Sequence, residues 1–139
     1  MPANILTPAA VLVVWTVIMC IWMAVTRGPA LGKLGTDKLK HGARGQDLEG
    51  LIPDDVNWKA HNYVHLLEQP TIFYAAVFIL VLSGYRPVET LFAWLYVVLR
   101  IAHSVWQAAV NTQPARAILF LVSSLVLGIL AVQALLATL

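Results

Sequence analysis

Residues 61–82 read HNYVHLLEQPTIFYAAVFILVL, and this stretch decides both the fold class and the place to look for chemistry. From Pro70 onward it is an apolar run that only lipid or a large protein core would accept. Its first half carries two histidines, an amide and a carboxylate. His61, His65 and Glu68 fall at i, i+4 and i+7, so they share one stripe of a single helix. Because ionisable groups on a membrane helix are costly, these residues are candidates for a functional site.

The composition of the whole chain agrees with a membrane protein. Hydrophobic residues make up 60% of the 139 positions and charged residues only 12%, whereas soluble domains are about 25% charged. A spanning helix needs about 20 apolar residues, so the chain has room for four such helices and short connections. We therefore predict an all-α, integral membrane four-helix bundle forming one domain over residues 1–139.

The order of apolar runs and polar breaks gives the predicted helix bounds, which are about 8–26, 55–83, 87–110 and 115–138. Residues 27–53 contain six glycines and mixed charges, which predicts a solvated loop after the first helix. The polar segments 83–87 and 111–114 predict two tight turns. Asp54 or Asp55 is the predicted N-cap of the second helix.

Charge and cysteine content narrow the function class and the topology. A net charge of +2, carried by scattered residues, does not suggest a nucleic-acid-binding protein. Cys20 is the only cysteine, so no intramolecular disulfide is possible. Most basic residues fall in or next to the first loop, so the positive-inside rule predicts that this loop is cytoplasmic and both termini are outside.

Depth in the membrane brings polar residues of helices 2 and 3 together. Counted from their shared outer turn, Glu68 lies ~22 Å and Arg100 ~20 Å deep, with His103 at ~24 Å and His65 at ~27 Å. On helix 3 the polar positions again follow helical spacing: Tyr96, Arg100, His103 and Gln107. Two polar stripes are therefore expected to face a common space.

Several interpretations of these residues stay open. Glu68 and Arg100 can form a structural ion pair that neutralises two buried charges. His65 and His103 can be interhelical hydrogen-bonding partners. The run His61, His65 and Glu68 also has metal-ligand spacing, but no HExxH motif is present and we predict no metal site. Arg116 can be a topology anchor at the membrane surface.

Helix 2, with His65-x-x-Glu68-x-Pro70-x-x-Phe73-Tyr74, and helix 3, with Arg100-x-x-His103-Ser104, resemble the MAPEG family, the membrane-associated proteins in eicosanoid and glutathione metabolism. The likeness continues through Asn111 and Pro114-x-Arg116, and bacterial members are the most similar. It implies a left-handed bundle assembled as a homotrimer. It also implies that glutathione binds as co-substrate between protomers near the cytoplasmic face, while a lipophilic substrate enters from the bilayer.

The same resemblance assigns roles by position. Arg116 matches the catalytic arginine that stabilises the glutathione thiolate, and Glu68 matches the carboxylate that contacts the glutathione amine. The whole co-substrate-binding set expected on this basis is Tyr63, His65, Glu68, Arg100, His103 and Gln107. This chain departs from the eukaryotic transferases at His61, His65 and Gln107, where they have arginine, asparagine and commonly tyrosine. Ala117 also provides no hydroxyl beside Arg116.

The expected function is therefore a glutathione-dependent transferase or peroxidase acting on small hydrophobic electrophiles, in a bacterial inner membrane. A rival expectation is a non-catalytic subunit or lipid-binding scaffold, alone or within a larger membrane complex. The rival has no use for Arg116 as a thiolate partner, so that residue separates the two.

Overall fold

A computed structural model describes residues 4–139, and within that range the chain forms four long helices. They are α1 (Leu6–Leu34), α2 (Asp54–Ser83), α3 (Pro87–Ala109) and α4 (Gln113–Leu136). All four are long and apolar enough to cross a membrane. The predicted all-α, membrane four-helix fold is confirmed. Residues 1–3 of the predicted domain lie outside the described range.

The end of α1 corrects the sequence-based prediction, because the helix continues from Thr26 to Leu34. Pro29 lies inside the helix but removes only one backbone N–H from the hydrogen-bond ladder. Arg27 ties the extension to the rest of the protein, since its Nη2 donates to the Gly45 carbonyl at 2.9 Å and to Asn57 Oδ1 at 3.2 Å. The helix stops at Gly35, whose φ of 83° is one that glycine adopts without strain.

Helices α2, α3 and α4 begin and end within two residues of their predicted positions. One detail of α2 differs. Pro53 occupies the N-cap position, and Asp54 and Asp55 lie in the first turn, where their charge favours the helix dipole but does not cap it. At the start of α3, the Glu89 carboxylate accepts a hydrogen bond from the Arg86 backbone N–H and pairs with its guanidinium, Nη2 to Oε1, at 2.7 Å.

Helices α2 and α3 form the centre of the bundle, because each packs against every other helix, while α1 and α4 lie on opposite flanks. Aromatic and aliphatic side chains fill the space between them. The rings of Phe73 and Tyr96 stack with centroids 4.6 Å apart, and neither residue is exposed. The other fully buried apolar residues of these two helices are Leu80, Ala93, Val97 and Ala108.

A polar chain links three helices across this core. Gln69 of α2 donates from Nε2 to Ser124 Oγ of α4 at 2.7 Å, and Tyr96 of α3 donates to Gln69 Oε1 at 3.3 Å. The Ser124 hydroxyl in turn donates a hydrogen bond to the Phe120 carbonyl of its own helix at 2.7 Å. The amide of Gln69 is thereby satisfied at both ends inside the membrane, where unpaired polar groups are costly.

We predict that Ser124→Ala lowers stability in detergent by ~0.6–1.5 kcal/mol, because it leaves the Gln69 amide without its α4 partner. Ser123→Ala is the matched control, since Ser123 Oγ bonds only to the Phe120 carbonyl of its own helix. Thermal unfolding of the two variants should therefore differ in midpoint. Equal midpoints would mean that the Gln69 bond adds nothing to the bundle.

Candidate functional site

Two imidazoles and an aromatic ring meet where α2, α3 and α4 converge. The ring centroids of His65 and His103 lie 5.1 Å apart, and Phe120 of α4 stacks on His65 at 5.4 Å. Phe120 also lies 6.2 Å from His103. The two histidines are therefore in direct contact, as their similar predicted depth indicates. Both histidines lie toward the end of the bundle that carries the first loop, as the antiparallel course of α2 and α3 requires.

Arg100 lies behind this cluster and is completely inaccessible. Its Nη2 donates to the His65 carbonyl at 2.8 Å, and its guanidinium carbon lies 6.0 Å from the Phe120 ring centroid. Its Nε and Nη1 are buried without a hydrogen-bond partner among residues 4–139. Arg100 is therefore a permanent cation fixed against the backbone of α2, at the level of the histidine pair.

The expected Glu68–Arg100 ion pair does not form within the protomer. Glu68 is exposed, and its carboxylate has no cationic partner within 4.0 Å in the described part of the chain. Glu68 lies on the same stripe of α2 as His65, and its side chain lines an open groove with that residue instead of turning back toward the buried Arg100. Arg100 pairs with a backbone carbonyl instead.

Two open grooves flank His65 at this end of the bundle. The first has a volume of about 360 Å³ and is lined by Gln46, Glu49, His61, Val64, His65, Glu68, Gln107 and Arg116. The second has about 230 Å³ and is lined by His65, His103, Gln113, Arg116, Ala117 and Phe120. His65 and Arg116 line both. The first groove is rich in charged and amide groups, and the second includes the Phe120 ring.

The α3–α4 turn fixes the direction of Arg116. Its Nη1 donates to Asn111 Oδ1, and Asn111 has a φ of 56°, a left-handed conformation that asparagine tolerates better than most residues. The Asn111 N–H donates to the Trp106 carbonyl at 2.7 Å, and Trp106 Nε1 donates to Thr112 Oγ1 at 3.0 Å. A permanent cation is thus held at the junction of the two grooves by a short, well-bonded turn.

A comparison with protein families now assigns the chain. The model of the MAPEG family matches residues 5–136, almost the whole sequence. The chain belongs to the MAPEG family. No curated protein and no solved structure matches it. The resemblance noted from the motifs of helices 2 and 3 is confirmed at the level of the family.

The MAPEG fold brings most of the expected site residues together, but two of them lie elsewhere. His65, Glu68 and Gln107 line the first groove and His103 lines the second. Arg100 lies behind the groove wall and lines neither groove. Tyr63 also lines neither, because its side chain faces α1 and interacts there with Cys20.

The first loop adds two residues that sequence reasoning missed, Gln46 and Glu49. Glu49 pairs with His61 Nε2 at 3.0 Å. Among residues 4–139 no group of three or more histidine, cysteine or acidic side chains is arranged to hold a metal ion. A loop rich in glycine gives no periodic signal, so its contribution to the site could not be read from the sequence.

The loop is ordered by its own polar contacts. The Arg44 N–H donates to Asp47 Oδ2 at 2.7 Å, and Lys40 Nζ lies 3.0 Å from Asp47 Oδ1. These two partners, first the backbone N–H and then the lysine, hold the pKa of Asp47 below its ordinary value. The short 3₁₀ helix Gly45–Leu48 that they stabilise carries Gln46 to the groove.

Proposed function

We propose that this MAPEG protein is a membrane-bound, glutathione-dependent transferase or peroxidase that acts on small lipophilic electrophiles. The observation that carries the proposal is the position of Arg116, a fixed cation shared by a polar groove and a groove with an aromatic wall. A thiol bound in the first groove would reach an electrophile in the second beside that cation. Membership of the family, which includes such enzymes, supports the same activity.

The chemistry of the first groove suits glutathione, which carries an amine, two carboxylates, two amides and a thiol. Glu68 supplies a carboxylate for the amine, and Arg116 supplies the cation for the thiolate. His65 and Gln107, whose side chains interact with each other, complete the polar lining of this groove.

The mechanism needs no covalent enzyme intermediate. A guanidinium near the sulfur lowers the thiol pKa from its usual ~8.5, and each unit raises the thiolate fraction nearly tenfold until ionisation is complete. The thiol proton passes to water. The thiolate then donates an electron pair to the electrophilic carbon, the carbon–sulfur bond forms, and the leaving group departs with the bonding pair. Arg116 acts by electrostatic stabilisation of the sulfur.

We also propose the assembly and orientation that this function needs. A homotrimer in a bacterial inner membrane, with both termini outside, would open the first groove toward the cytoplasm. Supporting this, the end of the bundle with the groove carries most of the basic residues: Arg27, Lys33, Lys38, Lys40, Arg44, Lys59 and Arg116. Reduced glutathione is abundant in the cytoplasm, so the co-substrate would be at hand.

A non-catalytic subunit or lipid-binding scaffold is the second candidate, favoured by one specific contact. The Arg116 guanidinium donates to Asn111, so it has a structural partner without any ligand. Ala117 provides no second polar group beside it. On this hypothesis Arg116 stabilises the α3–α4 turn only, and the protein has no thiol transfer activity of its own.

The direct test is thiol selectivity of the purified protein in detergent, with an activated aryl halide as the electrophile. We expect saturation with glutathione, and turnover at least ~10-fold above that with 2-mercaptoethanol at equal thiolate concentration. Glu68→Gln should raise KM for glutathione, because the amine loses its counter-charge. Asp37→Asn, at an exposed acid outside the groove, should leave KM unchanged. A rate that grows linearly with either thiol and equals the uncatalysed rate would refute the enzyme proposal.

A further inference from the structure

A third groove, remote from His65 and Arg116, lies along the C-terminal extension of α1. Its volume is about 390 Å³. One wall is the α1 stripe Thr26, Pro29, Ala30, Lys33 and Leu34, and the other is formed by Leu51, Ile52, Pro53 and Val56, with Lys38 completing the lining. It shares no residue with the two grooves described above, so its function is independent of the proposed thiol chemistry.

The α1 wall follows the length of the helix. Its members are spaced at i, i+3, i+4, i+7 and i+8, which is one continuous stripe. From Thr26 to Leu34 this stripe is ~12 Å long at the helical rise. Thr26 ends the uncharged segment of α1, whereas Leu34 is the last residue of the helix. The groove therefore runs from the edge of the hydrocarbon layer into the polar region.

The charged residues of the groove lie toward its outer end, in the last turn of α1 and in the loop just after it. Apolar side chains of both walls line most of the groove, and Lys33 and Lys38 are its only charged residues. Both lysines are exposed, and neither forms an ion pair in the described structure. The nearby Asp55 carboxylate is engaged by Lys59 at 3.6 Å. The groove thus has two cations without an ion-pair partner in the described structure, and no carboxylate is among its lining residues.

We propose that this groove binds one anionic phospholipid. The phosphate and acidic headgroup contact Lys33 and Lys38, and the upper part of an acyl chain lies against Ala30, Leu51 and Val56. Charge complementarity selects the headgroup, since basic pockets beside membrane helices bind acidic lipids. Continuity with the bilayer selects a lipid over a soluble anion, because the apolar walls begin where the hydrocarbon layer ends. The bound lipid would bridge α1 to the start of α2.

The test uses the delipidated full-length protein in detergent, titrated with phosphatidylglycerol or with phosphatidylcholine of the same acyl chains. Native mass spectrometry counts the bound lipids. We expect phosphatidylglycerol to bind at least ~10-fold more tightly. A lysine near a membrane surface contributes about fivefold to the affinity for an acidic lipid, so Lys33→Gln and Lys38→Gln should each weaken binding by about that factor and the double variant by about 25-fold.

Lys40→Gln is the matched control, because it removes the same charge from the same loop at a residue that lies outside the groove and pairs with Asp47. It should change phosphatidylglycerol affinity by less than about twofold, as expected for an exposed pair. Leu51→Ser should weaken both lipids by a similar factor. The proposal is wrong if Lys40→Gln equals the double variant, if the two lipids bind alike, or if glycerol 3-phosphate displaces phosphatidylglycerol at equal concentration.

Discussion

Turnover of an activated aryl halide at saturating glutathione is expected to fall by ~10–100-fold in Arg116→Ala, a loss of ~1.4–2.7 kcal/mol of transition-state stabilisation. Arg116 is the cation common to both grooves, so its removal takes away the charge that favours the thiolate. Folding should be nearly unchanged, because Arg116 is only half-buried and α4 keeps its packing against α2 and α3. Steady-state rates and thermal unfolding of the same preparation measure the two effects.

Two further variants test separately how the charge of Arg116 and its position contribute to the rate. Arg116→Lys should retain part of the rate, because the charge stays while the planar guanidinium is lost. Asn111→Gly preserves the left-handed backbone but removes the side chain that holds Arg116, so an intermediate rate is expected. Equal turnover in the wild type and Arg116→Ala would exclude a role for this cation in the reaction.

Arg100→Met is expected to raise the stability of the protein in detergent by ~1–3 kcal/mol, the cost of leaving buried donors unpaired. A buried cation with no carboxylate partner bears a desolvation cost that one bond to the His65 carbonyl offsets only in part. Its Nε and Nη1 add unpaired donors to that cost. Methionine fills a similar volume without charge. The unfolding midpoint should therefore rise, although the permanent cation behind the histidine pair is lost.

Glu68→Gln is the control for this experiment, because Glu68 is exposed and unpaired in the protomer. Its stability should stay within ~0.5 kcal/mol of the wild type. If Arg100→Met and Glu68→Gln each cost ~3–5 kcal/mol, the two residues form a buried ion pair in the assembled protein, and the protomer geometry is not the operative one.

Helix positions were readable from the sequence where the membrane dictates them. The uncharged runs of α2 and α4 and the polar turns beside them leave little freedom, since every backbone group in lipid must be bonded internally. Outside the membrane that constraint vanishes. The glycines and the proline after Thr26 predict that α1 ends there. The helix continues because Arg27 bonds to Gly45 and Asn57, a tertiary contact that the local sequence does not reveal.

In the candidate site, too, the features set by helix geometry are predictable and those set by tertiary contacts are not. Helical rise gives depth reliably, so the meeting of His65 and His103 was predictable. Depth does not determine which partner a long side chain meets, so the sequence predicts a Glu68–Arg100 pair, whereas Glu68 lines the groove and Arg100 donates to the His65 carbonyl. Gln46 reaches the groove only because Asp47 orders the surrounding loop, and no periodic pattern in the sequence reports such a contact.

Most side chains of α1 face away from the bundle, so this helix tolerates more apolar substitutions than the other three. Few of its residues are buried, and its polar contacts with the rest of the chain include Trp15 Nε1 to Ser104 Oγ at 3.0 Å and Arg27 to the loop and α2. The exposed apolar residues of α1 can be replaced by other apolar residues without disturbing the histidine cluster. The outward-facing surface of α1 can therefore diverge with the surrounding lipid composition while the histidine cluster stays fixed.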